Sequence, residues 1–168
     1  MPVIRDKVTI AVVTVEMRQR VVEQLAREVA GEATINGPII FEIPLEGPDR
    51  FDVLVVWEAW KPFHSEDRSR MILEAYGARK VQIAQALGVD YEEAVQQQVL
   101  PYSVLPMVRS GEGDIEAMKK AMIAEGGIAL PNGKVDLRFP TMSMAEQVHR
   151  RLADQLPKGY WSIIQAAN

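Results

Sequence analysis

The sequence predicts an α+β protein, a mixed sheet with helices packed on one face. Two observations carry this. Strand-sized apolar runs at residues 8–14, 39–43, 51–57 and 102–108 alternate with stretches whose apolar residues recur at helical spacing. Turn and cap residues also punctuate the chain at nearly every change of period. The expected order is β-α-β-β-α-α-β, followed by α-β-α-β.

The first strand, residues 8–14, is apolar on both alternating faces and suits a central position. Thr14 is placed to cap a helix whose stripe is Met17, Val21, Leu25 and Val29, with Gly31 at its exit. Residues 39–43 and 51–57 form two β-rich runs around the connector Pro44-Leu45-Glu46-Gly47-Pro48-Asp49-Arg50, the pattern of an antiparallel hairpin. Alternation puts Trp57 on the face of Val53 and Val55, in the core. Ser65 is read as the cap of a long helix with Glu66 and Asp67 in its first turn. Ile72, Tyr76, Ile83 and Leu87 keep its period, and Gly88 marks its end. Asp90 starts a short helix that stops before Pro101, and residues 102–108 are a strand.

Beyond the loop Ser110-Gly111-Glu112-Gly113, Asp114 caps a helix with Ile115, Met118, Ala121 and Met122 on one face. Residues 135–139 alternate as a strand. Ser143 and Glu146 read as a capping box for a further helix with Val148 and Leu152 inward, and residues 160–164 are the last strand. The expected organisation is a core of residues 1–109 and an extension of residues 110–168 packed on that core, together one compact unit.

Composition narrows the function classes. The chain has no cysteine, which removes disulfides, thiolate metal sites and a cysteine nucleophile and points to the cytoplasm. No apolar run approaches the roughly 20 residues that span a bilayer, and residues 1–10 do not read as a secretory signal. A net charge of −4 disfavours nucleic acid as a partner. Self-association into a homo-oligomer is left open. His64 and His149 are the only histidines. They stand far apart, with His149 expected on the solvated face of the last helix, so no metal or redox cofactor is expected. No phosphate-binding glycine loop and no Gly-x-Ser-x-Gly nucleophile is present.

The segment from Val55 to Tyr76 is the most distinctive. A strand ends at Val55-Val56, an aromatic, Trp60, stands three residues beyond its end at Trp57, and Arg68-Ser69-Arg70 opens a helix. In this it resembles the central segment of the BolA family. The resemblance implies a class II KH-like fold over residues 1–109 and the role of a small non-enzymatic adaptor or regulator. Ser69 stands where the family has histidine and Pro62 where it has glycine. The stretch Leu100-Pro101-Tyr102-Ser103 lacks the histidine that can ligate the iron–sulfur cluster some members share with glutaredoxins.

Three functions are therefore weighed. The first is a non-catalytic adaptor or regulatory module that binds a protein partner through Trp60, Phe63, His64, Arg68 and Arg70, because aromatic and arginine side chains concentrate binding energy. The second is a small enzyme with a carboxylate and histidine pocket formed by Glu58, His64 and Asp67. The third rests on residues 79–99, where Ala84, Gly88 and Asp90 resemble the helix-turn-helix of DNA-binding regulators. Glu92 and Glu93 would face phosphates there, so a plain helical corner is the expectation.

Overall fold

The computed structural model describes residues 12–32, 36–109 and 113–167. The strand expected at residues 8–14 lies outside them except for its last three residues, and so do positions 110–112 of the expected boundary loop. The chain is α+β and divides into two compact units, residues 1–91 and 92–168.

In the first unit, α1 (Val15–Val29) is capped as expected, Thr14 Oγ1 accepting the Met17 N–H at 3.1 Å. β1 (Ile39–Pro44) and β2 (Phe51–Val56) form the expected antiparallel hairpin, Ile39 opposite Val56 and Pro44 opposite Phe51. α2 (Ser65–Tyr76) follows a short 3-10 turn over Glu58–Trp60. Its N-cap is His64, not Ser65, and the cap makes no side-chain hydrogen bond.

The long helix expected to run on to Leu87 does not form. α2 stops at Gly77, whose φ of +59° takes the chain out of the helix. A 3-10 stretch over Gly77–Gln82 leads into β3 (Ile83–Val89), which pairs parallel to β2 and completes a sheet of order β1-β2-β3. The helical spacing of Ile83 and Leu87 is overruled because β2 carries unpaired backbone groups along its second edge, and these need a partner. The same finding removes the helix-turn-helix and the helical corner: residues 83–89 are a strand, and only α3 (Tyr91–Gln96) is helical in the would-be pair.

The core of this unit gathers Leu25 from α1, Phe51, Val53, Val55 and Trp57 from β2 and its end, and Met71, Ile72 and Tyr76 from α2. One face of the sheet is thereby sealed by α1 and α2.

In the second unit β4 (Tyr102–Val108) is the central strand of a sheet ordered β7-β4-β8. It pairs with β8 (Tyr160–Ala166) over its whole length, from Tyr102 opposite Ala166 to Val108 opposite Tyr160. That ladder ties β4 to the C-terminal elements. The compact units accordingly divide at residues 91 and 92, where the sequence had suggested residue 110. α4 (Ile115–Ala124) is capped by Asp114, which accepts the Ala117 N–H at 3.1 Å. β5 (Ile128–Ala129) and β6 (Val135–Asp136) form a small hairpin. The strand expected over residues 135–139 is interrupted at Leu137 between β6 and β7 (Arg138–Phe139). The Leu137 carbonyl nevertheless accepts the Val104 N–H at 2.9 Å, so pairing with β4 continues.

α5 (Met142–Gln155) begins two residues earlier than the capping box suggested: Thr141 is the N-cap and its Oγ1 accepts the Met144 N–H at 3.3 Å. Ala145, Val148 and Leu152 of α5 are buried, and the helix packs on β4, β7 and β8. His149 is not on the solvated face. It is half-buried, four residues on from Ala145, and its Nδ1 lies 2.7 Å from the hydroxyl of buried Ser162 on β8.

Candidate functional site

The structure spreads the expected contact residues over both the inside and the outside of the first unit. Trp60 is 0% exposed and its indole N–H donates to the Val55 carbonyl at 3.2 Å. Trp57 and Phe63 meet it edge-on, with ring centroids 5.6 and 6.4 Å away, the arrangement in which a ring's positive edge faces another's negative face. Phe63 is buried with it.

Arg68 is buried as well. Its Nε donates to the Phe63 carbonyl at 2.8 Å and its Nη1 to the Gly88 carbonyl at 3.2 Å, so one guanidinium links the loop before α2 to β3. Ser69, at the middle of the Arg-x-Arg motif, donates to the Ala86 carbonyl at 2.8 Å. Gly88 is the residue that lets these groups meet, since a Cβ there would stand 3.0 Å from both Arg68 Cβ and Trp60 Cε2.

Trp60, Phe63 and Arg68 are thus corrected from contact surface to interior. Pro62 and the short 3-10 turn fold the loop back over the sheet end, which removes the aromatics from water at a gain of about 1.5–3 kcal/mol each.

His64 and Arg70 remain outside. Arg70 lies 3.5 Å from Asp67 and 4.0 Å from Glu66 on its own helix, a solvated pairing of small energetic weight. Glu58 is held by Lys61 at 2.6 Å and accepts the Tyr91 N–H at 3.2 Å, capping the turn into α3. The titration of Tyr76 is displaced. Burial, then its 2.9 Å hydrogen bond to Glu42 and that carboxylate's charge, push the phenol far above its usual range, against an opposing pull from Arg79. Arg79 lies over both the Phe51 and Tyr76 rings. A phenol kept protonated between β1 and α2 ties the elements together and offers no base near neutral pH. Among the described residues no group of three or more His, Asp or Glu side chains could hold a metal ion.

The second unit presents a different surface. β4 and β8 turn alternate residues towards α5: Val104 and Ser162 are buried. The other set faces away from the helix. Met107 stands directly opposite Trp161, and Leu105 opposite Ile163. Trp161 is 44% exposed, Ile163 40% and Met107 39%. An apolar cluster of adjoining cross-strand pairs left this open is what marks an interaction surface. On the neighbouring strand Arg138 lies opposite Ser103 of β4 and is closed by Asp136 at 2.7 Å.

This surface is not among the regions the sequence singles out. Its signal was present in the alternation of Trp161, Ser162, Ile163 and Ile164, which puts a tryptophan on the face opposite a serine. The serine looks like the solvent side until His149 is found against it.

No protein-family model, curated protein or solved structure matches the chain.

Proposed function

We propose that the chain is a non-catalytic adaptor or regulatory binding module, and that a protein partner docks on the β4–β8 face. The observation that carries this is the open apolar cluster of Met107, Trp161 and Ile163, paired across two strands and backed by a helix. A hydrogen-bonded strand pair presents these side chains on a fixed backbone with less entropy left to lose, and a tryptophan in such a setting is the usual centre of binding energy.

The first unit serves as a scaffold in this reading. Its order is helix–hairpin–helix–strand, and residues 55–76, on which the proposed likeness to the BolA family rests, run from the end of β2 into α2. The buried links made by Arg68 and Ser69 give the Arg-x-Arg segment a structural reason. The enzyme alternative draws less support, since Glu58 is occupied by Lys61 and the Tyr91 N–H.

The test is recovery of cross-linked partners by the tagged full chain and by the double variant Trp161→Ser/Ile163→Ser. The expected result is at least about a tenfold drop in recovery, with the melting temperature nearly unchanged. Undiminished recovery overturns the reading, as does a melt that collapses for the double variant.

A further inference from the structure

The β4–β8 face carries a charge at one end. From the far end the opposed pairs run Ser103 with Gln165, Leu105 with Ile163, and Met107 with Trp161. Arg109 then continues the ladder, its N–H donating to the Gly159 carbonyl at 3.2 Å. Alternation carries its exposed side chain to the side of Met107, about 7 Å further along the strand. Lys158 is exposed at the same end of the ladder. Neither cation forms an ion pair among the described residues, whereas Arg138 at the other end is neutralised by Asp136. Strands β4, β7 and β8 contain no Asp or Glu at all.

On the docking reading above, on which this inference rests, we infer that the occupant is an acidic amphipathic segment of a protein. Its large apolar side chains cover the Leu105–Ile163 and Met107–Trp161 pairs, and a carboxylate meets Arg109. Charge complementarity selects this occupant over two others. A second copy of the chain would bring the same three strands without Asp or Glu, the neighbouring Asp136 being taken by Arg138, and leave Arg109 without a counter-charge. Single-stranded nucleic acid would satisfy Arg109, but it needs aromatic platforms for successive bases, and here one tryptophan is surrounded by Leu, Ile and Met.

The experiment titrates the full chain with three labelled probes and reads anisotropy. One is a peptide of about 12 residues alternating Leu or Phe with Glu. The second is the same peptide with Lys for every Glu, and the third is an oligouridylate of about 12 nucleotides. The Glu peptide should saturate and the Lys peptide should bind at least about tenfold more weakly. Arg109→Glu should reverse that order, and Trp161→Ala should abolish binding of both. If the two peptides bind equally, with Arg109→Glu silent and Trp161→Ala abolishing both, the acidic preference is overturned while the docking face stands. If peptide binding survives Trp161→Ala, the docking face falls too. Preference for the oligouridylate, or a chain that is dimeric until Trp161→Ala makes it monomeric, overturns the inference in favour of those occupants. So does the absence of peptide binding up to about 1 mM.

Discussion

Trp60 with Arg68 in the first unit, and Trp161 with Arg109 in the second, are alike in composition and opposite in placement. In the first pair the indole N–H and the guanidinium both end on backbone carbonyls, of Val55, Phe63 and Gly88, inside a closed aromatic cluster. In the second the indole lies on an open sheet face and the guanidinium has no ion-pair partner among the described residues. An aromatic beside an arginine therefore does not itself designate a binding surface. What distinguishes the two is whether the local backbone offers the polar ends of these side chains a partner. Where the loop folds back over the sheet end, the carbonyls of Val55, Phe63 and Gly88 converge on the pair, which becomes a strut with its aromatic inside. On the β4–β8 face the side chains project from the strands into solvent and stay available to a second molecule.

The difference should be largest between the two tryptophans. Trp60→Ala should cost about 3–5 kcal/mol in a denaturant melt, as for a large side chain removed from a packed core. Trp161→Ala should stay within about 1 kcal/mol. Similar losses at both sites would erase the distinction.

The arginines extend the comparison at a smaller scale. Arg68→Met keeps much of the side-chain volume but strips the buried Phe63 and Gly88 carbonyls of their donor, an expected cost of about 2–3 kcal/mol. Arg70→Met, two residues away on the same helix, should cost at most about 0.5 kcal/mol, because its carboxylate partners stay hydrated. Equal effects in urea titration would mean that burial is not what separates the two members of the Arg-x-Arg segment.

The smallest effects should appear as opposite pH limbs of the two units. In the first, the Tyr76 phenol has its folded-state pKa raised by burial and by Glu42. Its contribution is complete below the ordinary phenol value of about 10 and declines above it, as the unfolded chain ionises first. In the second, hydrogen bonding to Arg151 is the leading cause that holds the Glu125 carboxyl below its usual 4.5, with Gln155 assisting and burial opposing. That contribution is complete above the ordinary carboxylate range and is lost as pH falls through the folded-state value. Tyr76→Phe should flatten the alkaline side of the stability profile and Glu125→Gln the acid side. Melting temperatures across pH that show either variant changing the other limb would contradict these assignments.

Much of the local structure was legible in the residues alone. Thr14 and Asp114 cap their helices through their own side chains, a matter of a few neighbouring residues, and both act as expected. The β1–β2 hairpin follows from two apolar runs and the turn between them, and the α+β class follows from how such elements must pack. The candidate site was legible only in part. Trp57 could be assigned to the core by alternation, but Trp60 and Phe63 could not, because nothing local says whether a loop folds back over a sheet end. The open face around Trp161 requires knowing that α5 covers the Ser162 side.

Chain-neighbour chemistry, meaning caps, turn residues and the period of apolar side chains, was determined by the sequence itself, since each such choice is settled within about one turn or one strand. The tertiary structure decided where long-range pairing competes with local preference. Residues 83–89 have a helix-compatible pattern yet form β3, because the edge of β2 offers a row of backbone hydrogen bonds that a helix at that place would leave unmade. β4 belongs with β8 for the same reason, across more than fifty intervening residues. Which tryptophan is core and which is surface follows from those two pairings, because the strand that forms fixes which side its helices can cover.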